Sequence, residues 1–322
     1  LCTAFMIPAV IPGFFLPVMY LADPTAGSIA QFQVLVIIIA IFGMVPYIIL
    51  SKYGSEKSEF VPEHSQGVIK SLKIALKNRS FLIYVIYDGV SVFIINLIIT
   101  SLPFYLTWVL EPMGTNMLLF WIAPIICLVI SIPLIMKIAE KYSTKASLSY
   151  ALGVLSVGFF FTFFAGLSGN WILVSIGVSI VFLAFAADFI LHNPMRADTI
   201  DYDYWKVSGE RREGLYAGIG PLLSKPMISV ALAVPTALMT AFGLVYSEVV
   251  GGLDPTQGMA AAALSVNISF ALLPGIASLI GFIIWVKLYP LTGKVVDEMK
   301  KELIKIHEQK RKEYEEKLKI KF

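Results

Sequence analysis

The chain has 322 residues, of which 57% are hydrophobic and only 15% charged, with a mean hydropathy of +0.80. A soluble domain carries about 25% charged residues, so a soluble core is excluded and lipid must be the solvent for much of the surface. The formal net charge of +3 gives no sign of a nucleic-acid partner.

Apolar runs recur at the ~20-residue length that an α-helix needs to cross a bilayer. Runs such as 33–50 and 171–187 are apolar on every face, which excludes the alternation of a β-barrel. They predict an all-α membrane protein of about eight transmembrane helices. In chain order the spans fall near residues 1–21, 31–50, 80–109, 116–136, 147–166, 171–192, 214–246 and 266–289. A polar segment at 51–79 follows the second span, and a charged tail begins at 290. The second half of that segment, GVIKSLKIALKN, has the amphipathic spacing of a helix lying on the membrane surface. The tail carries heavy charge of both signs and is expected to be a solvated helix. Cys2 and Cys127 sit in different apolar spans and form no disulfide or metal pattern. The chain opens inside an apolar run without an initiator Met, so a missing N-terminal portion is expected.

Lys and Arg mark the cytoplasmic side of a membrane protein. Here 24 of the 25 basic residues lie in alternate loops of one side, at 51–79, 137–146 and 193–213 and from the last span onward. The exception is Lys225. This places the C-terminus in the cytoplasm of a multi-pass cell-membrane protein. The layout also resembles a major facilitator fold, in which a central cytoplasmic linker joins two six-helix halves. Residues 1–50 would be the last two helices of the N-terminal half, 51–79 the central linker, 80–289 the six-helix C-terminal half and 290–322 the tail. Four helices would then precede Leu1.

Ala197-Asp198-Thr199-Ile200-Asp201-Tyr202, then Trp205-Lys206 and Arg211-Arg212-Glu213-Gly214, resemble the loop between the tenth and eleventh helices of the glycoside–pentoside–hexuronide:cation symporters, the melibiose-carrier-like family. Lys77-Asn78-Arg79-Ser80-Phe81, Lys225 and Tyr289-Pro290-Leu291-Thr292 resemble other parts of the same family. Asp203-Tyr204 and Ser143-Thr144 depart from its pattern. The resemblance implies a secondary active transporter that moves a sugar or glycoside by alternating access, coupled to H+ or Na+, with no cofactor. A monomer is expected. The resemblance also implies that Asp198, Asp201, Arg211, Arg212 and Glu213 gate the cytoplasmic side through salt bridges between helix ends.

Ionisable groups inside hydrocarbon are costly and usually face a cavity or a partner. Lys225 lies roughly 16 Å along its helix from Gly214, at ~1.5 Å per residue, near mid-membrane. It is either a solute- or ion-binding group or half of a structural ion pair. Asp88 and Asp188 lie roughly 12 Å and 10 Å deep by the same measure. Either is a possible counter-ion for Lys225 or an ion-binding group in its own right. Asn96, two turns beyond Asp88, can bind a polar solute or hydrogen-bond another helix. Gly218, Gly220, Pro221, Pro226 and Pro235 interrupt the span around Lys225, and interrupted helices are the sequence mark of a transporter binding site. Trp108, Trp121, Trp171 and Trp285 are expected in the aromatic belts at the two interfaces.

Two other functions compete. Asp198, Asp201 and Asp203 form a D-x-x-D-x-D cluster that could hold Mg²⁺ and a diphosphate, as in membrane prenyltransferases, but no other loop on that side has a second acidic cluster. A carrier of lipids or other amphiphiles uses the same fold and fits spans with few polar residues. A channel finds no support, since no run resembles a selectivity filter.

Overall fold

The computed structural model describes residues 33, 37, 44, 48, 51, 52, 72, 73, 75–110, 116–209, 212–247, 252–256 and 258–320. The two expected N-terminal spans, most of the linker and Arg211 therefore lie outside the described residues. The chain divides into two compact units, Leu1–Val61 and Pro62–Phe322. Every element with a described range belongs to the second.

Helix α1 runs Arg79–Trp108. It begins where it does because the Asn78 side chain accepts from the N–H groups of Ser80 at 3.0 Å and Phe81 at 3.3 Å, capping two donors that the helix itself leaves unpaired. Helix α2 (Asn116–Lys141) and α3 (Thr144–Leu167) follow, the latter capped by Ser143. Helix α4 (Trp171–Tyr202) is capped by Asn170 and widens into a π turn at Asp203–Val207. Then come α5 (Glu213–Ser224) and α6 (Pro226–Ala241), a hairpin of β1 (Leu244–Ser247) and β2 (Gly252–Pro255), and α7 (Met259–Asn267). A π turn at Ile268–Leu272 leads into α8 (Leu273–Leu288), and α9 spans Gly293–Ile320. Pro274 in α8 has no N–H for the carbonyl one turn back, and the wider turn before it accommodates that gap.

Six helical spans among the described residues are long and apolar enough to cross a membrane; α5 with α6 makes one, and α7 with α8 another. Three expectations change. The chain is not wholly helical: β1 and β2 pair antiparallel, Leu244 with Pro255 through Ser247 with Gly252. Thr256 closes the hairpin by donating both its N–H, at 2.8 Å, and its hydroxyl, at 2.7 Å, to the Gly243 carbonyl. The span expected to reach residue 246 therefore stops at Ala241. Helix α4 overshoots its apolar run of 171–192 by about three turns, because backbone hydrogen bonding continues where hydropathy falls.

Helix α4 packs on both α2 and α3, α8 packs on α3 and α1, and α1 packs on α6. The α3–α4 contact is a small-residue seam. A Cβ on Gly177 would sit 2.5 Å from Thr162 Oγ1, and one on Gly158 would sit 2.8 Å from the Val181 nitrogen. At the end of the bundle that bears the basic loops, Phe81, Leu148, Met195, Tyr216 and Trp285 close a core shared by α1, α3, α4, α5 and α8. Trp285 is wholly buried, donates to the Lys145 carbonyl at 3.2 Å and stacks on Tyr289 at 3.8 Å. Trp121 is also buried. Both therefore pack inside the protein rather than standing in a belt. Burial pushes the Tyr289 phenol well above its ordinary pKa, so this ring stays neutral. The tail departs from expectation too: Met299 and Leu303, one turn apart on α9, are buried against Tyr204 of the first π turn.

Candidate functional site

Helices α1 and α4 meet in the half of the bundle nearest the basic loops. Asp188, His192 and Arg196 follow one another at four-residue steps, so they share one face of α4. Tyr84 and Asp88 stand one turn apart on α1. Their meeting joins two polar pairs. Asp88 Oδ1 lies 3.6 Å from His192 Nδ1, and the other ring nitrogen, Nε2, is 3.0 Å from the Tyr84 hydroxyl. Tyr87 donates to Asp188 Oδ1 at 2.6 Å, a short bond of the charge-assisted kind. The Asp88 side chain is 14% exposed and that of His192 31%, so the first pair is sheltered yet reachable. Beside the second pair, a cavity of about 20 Å³ lies among α1, α3 and α4, touching Ser91, Leu152 and Asp188. That is room for one water.

Lys225 occupies the turn between α5 and α6. Pro226 there offers no N–H, while Lys225 itself still bonds back to the Pro221 carbonyl at 3.0 Å, so the chain kinks without breaking. A Cβ on Gly89 would lie 3.5 Å from Met227 and 4.0 Å from the Ser224 Cα. This close crossing brings Asp88 and Lys225, the chain neighbours of Gly89 and Ser224, to the same level. The Lys225 side chain is exposed and, among the described residues, makes no ion pair with Asp88 or Asp188. Each carboxylate has another partner. Past Lys225, one open face of α6 carries Ser229, Thr236 and Thr240, and the two threonine hydroxyls donate to the Leu232 and Thr236 carbonyls of their own helix at 3.3 and 2.9 Å. The Asn96 amide donates to the Val92 carbonyl of its own helix at 2.8 Å, which uses one of its two N–H groups.

The loop residues divide by burial. Asp198 is buried, and its carboxylate lies 3.9 Å from Lys300 of the tail helix. Asp201 and Arg212 are half-buried, and Glu213 is exposed in the first turn of α5. Asp203 is wholly buried and accepts from the Ser208 hydroxyl at 2.6 Å. Among the described residues no group of three or more acidic, His or Cys side chains could hold a metal ion. Asn78 ties this region together, reaching past its cap to the Thr199 carbonyl and the Tyr216 hydroxyl, each at 3.3 Å.

Sequence reasoning missed His192, Tyr84, Tyr87 and Lys300. The four-residue stripe Asp188–His192–Arg196 is a signal that could have found the first. The others depend on helix rotation and on the docking of the tail, which no local pattern encodes.

Six apolar spans, a kinked pair among them, and ionisable groups held at a helix crossing define a multi-pass membrane protein of the transporter class. A family model described as MFS/sugar transport protein matches residues 3–293, and the chain belongs to that family, within the major facilitator superfamily. A search of curated proteins found no match.

Proposed function

We propose that the protein is a secondary active transporter of the melibiose-carrier-like kind, moving a sugar or glycoside by alternating access with a cation, H+ or Na+, in symport. The family match carries this reading, because the family is one of sugar transport proteins. The geometry supports it. Lys225 and Asp88 share one level, and the open face of α6 that begins one turn beyond Lys225 carries the Ser229, Thr236 and Thr240 hydroxyls, whose oxygens can accept from a polyhydroxyl solute. Asp88, Asp188 and Lys225 are the groups proposed to meet solute or ion. Asn96 joins them through its second amide N–H and its carbonyl oxygen. Asp198, Asp201, Arg211, Arg212 and Glu213 are proposed to gate the side that bears the basic loops, the cytoplasmic side of the cell membrane, and the carrier to act as a monomer.

Transport of a panel of radiolabelled glycosides, pentosides and glucuronides into liposomes holding the full-length protein tests the solute. Accumulation of one of them on a proton or sodium gradient is the expected result. Movement of fluorescent phospholipid across the bilayer, with no sugar moved, would replace this reading with a lipid carrier. Cysteines at 113, 169 and 253 should label from outside intact cells, and those at 143 and 208 should not. The reverse pattern would invert the orientation.

A further inference from the structure

We infer that the coupling ion is the proton and that the Asp88–His192 pair carries it, with Tyr84 completing the site. The inference rests on the proposed reading of the chain as a cation-coupled carrier, and it names the ion and its seat.

Histidine is the side chain whose ordinary charge change falls between about pH 5 and 8. Here the ring stands between a carboxylate at Nδ1 and a phenol at Nε2. With the ring neutral, Tyr84 donates to Nε2 while Nδ1–H faces Asp88. A proton added at Nε2 makes both nitrogens donors, and the Tyr84 hydroxyl turns from donor to acceptor by rotating about its C–O bond. Neither state strands a buried polar group. The empty pair carries one negative charge, which attracts a cation in a medium of low dielectric. The loaded pair is neutral as a whole, so occluding it carries no unpaired charge through the conformational change.

An alkali cation fits these residues poorly. Hard cations want a shell of several oxygens, whereas the ion-pair partner of the Asp88 carboxylate among the described residues is an imidazole, which becomes a cation itself when protonated. Asp188 has one oxygen bonded by Tyr87. The remaining groups around the pair are few. Arg196 lies one turn beyond His192 on α4, and Asp88, Arg196, Asp188 and Tyr289 all act electrostatically on the Tyr84 hydroxyl. Lys225 stands at the level of Asp88 on the α5–α6 kink. On the α3 side, Lys145 is occupied by the Tyr289 carbonyl at 2.6 Å.

Two measurements test the site. The first is ring-selective nitrogen NMR of histidine in the full-length protein in lipid nanodiscs. The chain has three histidines, His64, His192 and His307, and H64Q and H307Q assign the His192 signal without altering the pair. That signal should respond to pH, and its response should change in D88N. It should be indifferent to sodium replacing potassium at fixed pH. A signal that ignores pH, is unaltered by D88N, or is displaced by sodium overturns the proposal.

The second uses whichever glycoside the liposome screen shows to be carried. H192Q should lose accumulation driven by a pH gradient about tenfold or more while exchange of solute at equal pH persists, D88N should lose that accumulation at least as far, and Y84F should fall between H192Q and the wild type. H192Q that accumulates solute as the wild type does overturns the proposal. The two readings fail separately. The expected NMR result with no glycoside carried removes the solute class and leaves the proton site. Accumulation on a sodium gradient but not on a proton gradient leaves the carrier and removes the proton site.

Discussion

The α3–α4 pair and the α5–α6 span are apolar helices of one bundle built in opposite ways. In the spans containing α3 and α4, half or more of the most apolar stretch is buried (50% and 56%), against 22% for α5–α6. The α3–α4 seam has no room at Gly158 or Gly177, while a Cβ on Gly218 or Gly220 of α5 would meet nothing within 4 Å. Hydroxyls hold α3 further: Thr162 bonds the Gly158 carbonyl of its own helix at 2.8 Å, and Ser156 ties α3 to α8 through Ser278 at 3.0 Å. Prolines 221, 226 and 235 loosen the second. Tight glycine packing makes a scaffold. Open glycines with proline kinks leave a helix that can bend at modest cost, which alternating access requires of some element.

The sharpest way to break this comparison is to fill both kinds of glycine. Gly177→Leu forces a branched side chain onto Thr162, and overpacking of this kind costs about 3 kcal/mol or more. The purified full-length protein should melt well below the wild type, or fail to accumulate in the membrane. Gly218→Ala should leave stability within about 1 kcal/mol, with a gain rather than a loss where only helix propensity acts. Equal losses in thermal melts of the two variants would erase the distinction between scaffold and flexible arm.

Asn78 is the junction between the two regions, since it caps α1 and also reaches α4 and α5. Asn78→Ala removes the cap and two cross-links, and should cost about 2 kcal/mol. Asn78→Asp keeps the acceptor that caps the helix but loses both donors, so it should fall between. If Asp is as stable as Asn in the same melts, the bonds to Thr199 and Tyr216 contribute nothing.

These parts were legible in the sequence to different degrees, for physical reasons. The six described spans could be read because a bilayer imposes a length on apolar runs. The overshoot of α4 could not, because hydropathy reports where lipid ends and says nothing about where backbone bonding ends. The hairpin after Gly243 was hidden because its strands of four residues look like any short loop. Asp88, Asp188 and Lys225 stood out as charges in apolar runs, yet their partners did not. Pairing depends on how α1 and α4 rotate about their own axes, and that is set by packing far along each helix. His192 escaped notice because it lies where the apolar run gives way to polar residues. Trp285 looked like an interfacial anchor because position along the chain fixes depth but not which face a side chain takes.

The tail gives a smaller effect and sharpens the comparison at the end bearing the basic loops. Leu303 and Met299 pin α9 to Tyr204, next to Asp198 and its 3.9 Å contact with Lys300. Leu303→Asp places a charge in that contact and should release α9 while costing the bundle about 1 kcal/mol. Limited trypsin digestion should then cut at Lys300 and Lys301 faster than in the wild type, with the melting temperature of the span core little changed. Unaltered digestion would show that α9 stays bound without this contact.

The smallest stability effect is expected at the residue most exposed to function. Lys225 sits on the proline kink, level with Asp88, and is exposed with no ion pair to either carboxylate among the described residues. An exposed side chain away from special features usually changes stability by about 0.5 kcal/mol or less, so Lys225→Ala should melt like the wild type. Had it been the buried partner of Asp88, its removal would cost about 3–5 kcal/mol, and Asp88→Asn would restore the loss. The pair of variants therefore separates the two arrangements. Lys225→Ala stable, Asp88→Asn not a rescuer, and solute accumulation abolished is the result expected of an exposed transport residue on a flexible arm. A strongly destabilised Lys225→Ala that regains its stability with Asp88→Asn would place Lys225 in the scaffold with α3 and α4, and α5–α6 would lose its standing as the mobile element.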